Sequence, residues 1–295
     1  MTANEAFEIY AALLLVSTRN KQIEVGRWAN HIEPILGNHE LSSITSLKIL
    51  LFEKHLIGKK QAPQSIHHCL SLLRRVLNRA CEWELYPGPV PKFHMPKFDN
   101  RRIRFLSPTE AEAVLLDLKS RSELWHDLAL FALSTGLRKG ELLALTPSQI
   151  NLSANLCSVL DSKSGKGRSV PLHPEALKVA QKYLKQPSAT LFTDNGHRIN
   201  PHSKHFHNAV KACGLNHGVM DRRARVCFHT LRHTFASWLV QAGTPLSLVG
   251  QFLGHSNYEM TLRYAHLAPG QGQKAILQLP LMKSRMSDCL KVVNS

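Results

Sequence analysis

The sequence predicts a mainly α-helical chain that carries one small antiparallel β-sheet. Three observations lead there. Apolar residues recur at helical spacing over most of the 295 residues. Only residues 156–160 and 168–172 read as strands, and they flank the turn-rich run Ser162-Lys163-Ser164-Gly165-Lys166-Gly167 as a hairpin. A proline-rich, basic stretch at 87–104 separates a purely helical module from an α+β unit.

Taken in order, residues 5–17 and 22–36 read as amphipathic helices, the second closed by Gly37. Thr45 caps a third through Leu47, Ile49, Leu50, Phe52 and Leu56, stopping near Gly58. The fourth, Ser65 to Tyr86, lines up Ile66, Leu70, Leu73, Leu77 and Ala80 on one stripe and turns Arg74, Arg75 and Arg79 to the opposite face. Arginines so placed form either a solvated face or a DNA contact, and spacing alone leaves both open. Pro87-Gly88-Pro89-Val90-Pro91, Pro96 and Arg101-Arg102-Ile103-Arg104 cannot continue a helix. Residues 87–104 are therefore read as a linker between units 1–86 and 105–295, with a basic end suited to a phosphate backbone.

The second unit opens on Ser107-Pro108-Thr109-Glu110, a capping box with proline at the first turn. Helices follow over 108–120 and 123–135, the latter ended by Gly136, and a further one runs from Arg138 to Leu145. After the hairpin, Pro174 opens a helix to Lys185, and another covers 201–212. From Thr230 to Leu253 the residues Leu231, Phe235, Trp238, Leu239, Leu246, Val249 and Phe252 keep helical spacing, broken once at Gly243-Thr244-Pro245. Ser256-Asn257-Tyr258-Glu259 resembles a capping box, which would seat Tyr264 on a new short helix. The last 25 residues hold one apolar piece, Ala275-Ile276-Leu277-Gln278-Leu279, suited to docking on this chain or a neighbouring copy.

Composition narrows the function classes. The formal charge is +16, and it is uneven: residues 1–100 hold 12 Lys+Arg against 9 Asp+Glu, and the remainder 25 against 12. That excess points to a polyanionic partner, nucleic acid or an anionic membrane surface. Six cysteines (69, 81, 157, 213, 227 and 289) include no CxxC pair and read as buried thiols of a reducing cytosol. The apolar run Ala11 to Val16 is far short of the roughly 18 residues that span a bilayer. It follows Glu5 and Glu8 rather than basic residues, so a signal peptide is not expected and the protein is read as soluble and cytoplasmic. His202, His205, His207, Cys213 and His217 match no common zinc-ligand spacing, and no carboxylate cluster suits Mg2+. Neither metal nor cofactor is expected.

The chemistry concentrates between Phe228 and His266. His229 and Arg232 lie three apart, on one helix face; His255 follows Gly254 at a helix stop; Tyr264 comes nine residues later. Two imidazoles, a guanidinium and a phenol suit the making and breaking of a phosphate ester: arginine grips phosphate oxygens, histidine moves protons, tyrosine attacks phosphorus. His233, on the same helix, is expected to be a buried, hydrogen-bonded residue rather than a catalyst. Upstream, Ser134-Thr135-Gly136-Leu137-Arg138-Lys139-Gly140-Glu141-Leu142 places Arg138 at a helix start, where backbone N–H groups already favour an anion. Arg222, Arg223 and Arg225 form a basic loop, either DNA-facing or a solvated turn.

With these motifs in order (Thr-Gly-Leu-Arg, the hairpin lysine in Lys-x7-Pro-Leu, His-x-Leu-Arg-His, Leu-Gly-His and Arg-Tyr-Ala-His), the chain resembles the tyrosine recombinases of the phage-integrase type over nearly its whole length. The resemblance implies a helical core-binding (SAM-like) domain and an α+β catalytic domain that together close round a duplex. Arg138 and Arg232 match the pair that clamps the scissile phosphate, and Tyr264 matches the nucleophile that forms a 3′-phosphotyrosyl link. Lys163 matches the general acid, Lys166 being a rival at the wrong distance from Pro171. His229 matches the residue that assists tyrosine deprotonation, His255 the one that hydrogen-bonds the phosphate, and Glu141 an acidic position of structural character. The family's activity is site-specific strand exchange by four protomers through a Holliday junction, without ATP or metal, with accessory bending or excision factors as possible partners. Alternatives with the same residues are a DNA-relaxing enzyme of the type IB topoisomerase kind and a DNA-binding regulator that does not cleave. The helical module begins almost at Met1, so a separate arm-binding domain is not expected.

Overall fold

The structure is a computed structural model that describes residues 1–14, 18–99, 104–160, 167–185, 188–268 and 276. Its contacts divide the chain into two units, Met1–Arg101 and Arg102–Ser295.

In the first unit, α1 (Ala3–Leu14) and α2 (Thr18–Arg27) are followed by a π-helical segment, Trp28–Gly37. The sequence reading expects one helix to Gly37. The path does end there, but it widens after Arg27. Pro34 lies inside the segment and lacks the N–H that an α-helical bond needs. Gly37 is required by packing, because a Cβ there would lie 2.5 Å from the Asn4 Oδ1 that also accepts the Trp28 indole N–H. Thr45 caps α3 (Ser46–Gly58) by accepting from the Lys48 N–H, as its position predicts.

α4 (Pro63–Glu82) buries Ile66, Leu70, Leu73, Leu77 and Ala80 against Ile32 and Phe52. It begins with proline in the first turn and ends four residues before the expected Tyr86. Glu84 takes a left-handed φ of 58°, and Leu85 N–H reaches back to Ala80 O, so the helix closes without the glycine that usually signals such an end. The extended stretch after Tyr86 lies partly against this core through Val90, Phe93 and Met95.

The second unit is built round α6 (Glu123–Thr135). It packs against α5 (Pro108–Arg121), α8 (Pro174–Leu184), α9 (His205–Ala212) and α10 (Phe228–Gln241). Ser107 and Glu110 form the expected reciprocal capping box on α5, and Gly136 closes α6 at φ 65°. α7 (Lys139–Ala144) follows. The sheet has three strands in sequential order: β1 (Ile150–Asn151), β2 (Leu156–Val159) and β3 (Arg168–Pro171), all antiparallel, with Cys157 opposite Val170. β1 is two residues long, too short to leave an alternating pattern in sequence. The hairpin tip, with Lys163 and Lys166, lies outside the described residues, as do Arg101, Arg102 and most of the apolar tail piece.

α11 (Leu246–Leu253) and α12 (Glu259–Leu262) complete the fold. The capping box expected at Ser256–Glu259 does not form. Asn257 instead accepts the Glu259 N–H through its side-chain amide oxygen, and α12 lasts a single turn. Tyr264 therefore sits in the turn after α12 rather than on it. Val170, Phe235, Ala236, Val240, Val249, Leu253 and Tyr264 make a small core of their own. Among the described residues no helix is long and apolar enough to cross a membrane.

Candidate active site

The carbonyl end of α11 organises the site. The last carbonyls of a helix have no partner within it and carry the negative end of its dipole. Here three guanidiniums supply that partner. Arg168 Nε donates to Phe252 O at 2.8 Å, Arg232 Nη2 to Leu253 O at 2.5 Å, and Arg138 Nη2 approaches Gly254 O at 3.5 Å. Arg232 also donates to Gly136 O at 2.7 Å, which ties the end of α6 to the end of α11.

Glu141 spaces two of these arginines. Its carboxylate accepts from Arg138 Nη1 at 2.7 Å and from Arg168 at 3.1 and 2.6 Å, while the Arg138 backbone N–H donates to it at 2.8 Å. Burial pushes the Glu141 carboxyl up, but the Arg168 and Arg138 hydrogen bonds outweigh it and leave it below its ordinary value. Arg232 is 4% exposed and donates to two backbone carbonyls. Burial, reinforced by Arg138, pushes it down to about 9. A buried cation held by neutral acceptors is stabilised by an arriving anion, and a phosphodiester supplies one.

Gly254 ends α11 in the left-handed region at φ 64°, and a Cβ there would lie 2.8 Å from Arg168 Cδ. The turn delivers His255, whose Nδ1 lies 2.8 Å from Thr261 Oγ1. Burial, then Arg232, Arg138, Arg263 and Arg168, push His255 down to about 3. It is a neutral imidazole at physiological pH, able to offer an N–H without adding charge. Thr261 is itself fully buried, close enough to Gly250 to exclude a side chain there.

Tyr264 is 6% exposed, and its hydroxyl lies 2.6 Å from His233 Nδ1. Burial raises the phenol above its usual value, with the charges of Arg263 and Arg232 working against the rise. Arg263 is half-buried, and its Nε is buried with no hydrogen-bond partner among the described residues.

Of the residues singled out from sequence, Arg138, Arg232, His255 and Tyr264 are thus brought into one electrostatic field, with Glu141 as its brace. His229 stays on the exposed side of α10, its ring edge-on to that of His233 at 4.9 Å. His233 is buried and hydrogen-bonded, as read, but its partner is the tyrosine itself. Arg168 went unread. A strand-opening arginine beside Ser169 and Val170 looks like a solvated one until Glu141, 27 residues away, is seen to hold it. Of the basic residues weighed as DNA contacts, Arg74 is exposed, Arg75 pairs with Glu24, Arg79 with Glu82, Arg104 with Glu110, and Arg223 with Asp221. Arg225 donates to Val219 O, and Arg222 is exposed. Among the described residues no group of three or more His, Cys, Asp or Glu is placed to hold a metal ion.

Comparison with known proteins bears on this arrangement. The model of the phage integrase family matches residues 104–271. The chain is 32% identical to the tyrosine recombinase XerD of Lacticaseibacillus casei over 238 residues, covering 75% of this chain and 78% of that one. It is 33% identical to the integrase of Salmonella phage P22 over 214 residues, covering 68% of this chain but only 53% of that protein's length. In fold it is similar to the Tn1549 transposon integrase solved with transposon right-end DNA (TM-score 0.77, 19% identity, 96% of this chain and 100% of that one). It is likewise similar to the lambda integrase tetramer solved on a Holliday junction (TM-score 0.75, 20% identity, 90% and 77%). The family match, spanning more than half of the residues and enclosing Arg138, Arg232, His255 and Tyr264, shows that this chain belongs to the phage integrase family of tyrosine recombinases.

Proposed function

We propose that the chain is a site-specific DNA recombinase of the integrase type, which cleaves and rejoins strands through a 3′-phosphotyrosyl intermediate and a Holliday junction. The observation that carries this reading is the Tyr264 hydroxyl, buried within reach of the Arg232 and Arg263 charges beside a cluster of arginines. Arg138 and Arg232 grip the non-bridging oxygens of one phosphodiester and offset the charge that grows in the transition state, a kind of contact whose removal costs about 10²–10³ in rate. His255, neutral and steadied by Thr261, adds a hydrogen bond to the same phosphate. The Tyr264 oxygen attacks phosphorus as its proton leaves. The P–O5′ bond breaks, and its electron pair goes to the 5′ oxygen, which Lys163 protonates by analogy with the family. The ester bond is conserved in the adduct, so rejoining to another strand needs no ATP.

In this reading residues 1–86 form the core-binding module and residues 105–295 the catalytic domain, joined through 87–104. The partner is double-stranded DNA bearing a recombination site. Relatives solved as DNA complexes, one of them a tetramer on a Holliday junction, support the same partner and a homotetramer on DNA here. The test is a pool of nicked suicide duplexes with randomised core sequence, from which covalent protein–DNA adducts are recovered under denaturing conditions. Wild type yields adducts enriched in one sequence, and Tyr264→Phe yields none. No adduct from wild type, or adducts from the variant, would defeat the reading.

A further inference from the structure

We propose that Arg168 is a positioning residue for strand cleavage: it fixes the Glu141 carboxylate, and through it keeps Arg138 aimed at the scissile phosphate with its charge available. The proposal rests on the recombinase reading above and adds a residue that none of its motifs contains.

Arg168 opens β3, and its side chain is 6% exposed, against 38% for Arg138. Its Nη1 and Nη2 donate to the two oxygens of Glu141 at 3.1 and 2.6 Å, fork against fork. Its Nε donates to Phe252 O at 2.8 Å. Gly254 closes over the same group, since a Cβ there would lie 2.8 Å from Arg168 Cδ and 2.9 Å from Nη1. Carboxylate, helix-end carbonyl and glycine thus hold the guanidinium in one plane. Glu141 is held in turn, and both of its oxygens also receive Arg138. Oε1 accepts from Arg138 Nη1 at 2.7 Å, and Oε2 from the Arg138 backbone N–H at 2.8 Å. One carboxylate therefore sets the start of α7 and the direction of a clamp arginine, and Arg168 sets the carboxylate.

Charge gives the arrangement a second use. A carboxylate paired with Arg138 alone would cancel its charge and weaken its pull on an anion. With Arg168 on the other side, the three groups keep one net positive charge, and the more exposed member is Arg138. Burial pushes the Glu141 carboxyl up, and the Arg168 bond is the largest influence bringing it down, so the carboxylate stays ionised between the two. Phe252, Leu253 and Gly254 offer successive carbonyls to Arg168, Arg232 and Arg138. Arg168 thereby ties Arg138 to the helix end that also holds Arg232, which keeps the two clamp arginines in register for one phosphate. A single ammonium cannot bridge carboxylate and carbonyl in the same plane, so lysine is a partial substitute.

The experiment uses the full chain and the duplex selected by wild type, at temperatures where every variant is folded. Single-turnover adduct formation is measured for Arg168→Met, Arg168→Lys, Arg138→Ala and the double variant Arg138→Ala/Arg168→Met. Arg168→Met is expected to cleave about 10²-fold more slowly, the cost of a misplaced contact, with Arg168→Lys in between. Duplex affinity and its salt dependence stay as in wild type, because Arg168 does not itself meet phosphate. The double variant is within about twofold of Arg138→Ala, because Arg168 acts through that residue. A methylphosphonate at the scissile position is neutral and asks less of the clamp, so it closes most of the gap between Arg168→Met and wild type. A bridging 5′-phosphorothiolate, whose leaving group needs no proton, does not close it, although Lys163 precedes Arg168 by only five residues.

A wild-type rate in Arg168→Met would overturn the proposal, as would losses that multiply in the double variant. Rescue by the phosphorothiolate instead of the methylphosphonate would move the role to delivery of the general acid. A salt slope lowered by about 0.9 would make Arg168 a DNA contact, and that too defeats the proposal. If Arg168→Met does not fold, Arg168→Lys decides: slower cleavage with the gap closed by methylphosphonate supports the role, and a wild-type rate refutes it. A wild-type protein that forms no adduct on any duplex would instead sink the recombinase reading.

Discussion

His255 shows how much of the site's character resides in single side chains. Buried among four arginines, it is pushed down to about 3 from an ordinary 6.5. In the unfolded chain it takes up a proton as pH falls through 6.5, whereas in the native protein it does not until about pH 3. The unfolded state binds more protons across that window, so stability falls with falling pH from 6.5 downward. Glu141, held below its ordinary 4.5 by Arg168 and Arg138, adds to the loss only at lower pH, as the native carboxylate is finally protonated. Melting temperature followed from pH 7 to 4.5 should decline in wild type, and His255→Gln should flatten that decline; an equal slope in both would show that His255 titrates freely. At this scale the sequence was legible wherever a residue lies inside a local motif. Arg138, Arg232, His255 and Tyr264 all do. Arg168 does not, because its meaning comes from Glu141 and from a helix end 84 residues away. The partner of His233 was hidden for a similar reason: burial and a hydrogen bond were expected of it, but the phenol it meets lies 31 residues off.

Among the elements, helix ends decide where the chemistry goes. Thr45, Ser107 with Glu110, Gly136 and Gly254 each stop or start a helix where their chemistry says they should, and these were readable because a cap is a local signal. The unread ends lack one. α4 closes on a left-handed Glu84, the π segment accommodates Pro34, and α12 starts from an Asn257 turn that imitates a capping box in sequence. Gly254 carries the heaviest duty, since it both ends α11 at φ 64° and lets Arg168 pass within 2.8 Å of where a Cβ would stand. Gly254→Ala should cost about 1–3 kcal/mol from backbone strain alone, measured by denaturant unfolding. It should also slow adduct formation at temperatures where the variant is fully folded, because displacing Arg168 disturbs the carbonyl end that positions His255. A variant as stable and as active as wild type would mean that this turn is soft.

For the whole molecule the governing quantity is charge. A formal +16 with most of the excess after residue 100 makes phosphate contacts the main source of affinity in the proposed DNA complex. Several arginines weighed as contacts are already engaged within the protein, Arg75 with Glu24, Arg79 with Glu82 and Arg223 with Asp221. The Arg79–Glu82 and Arg223–Asp221 pairs are exposed on both sides and hold weakly, so they can be exchanged for phosphate at little cost, whereas the Glu24 partner of Arg75 is largely buried. Each phosphate neutralised releases condensed counterions and steepens the dependence of binding on salt by about 0.9 in log–log slope. For 6–10 contacts, affinity for the selected duplex should drop by about 10³–10⁵ between 50 and 200 mM salt. Arg74 is exposed on the face of α4 away from its core, and Arg74→Gln should lower the slope by about 1 while weakening all duplexes alike. Fluorescence anisotropy over a salt series reads both quantities. A slope near zero in wild type would remove nucleic-acid phosphate as the reason for the charge; a slope unchanged in Arg74→Gln would leave that helix face to solvent and confine the contacts to the basic second unit.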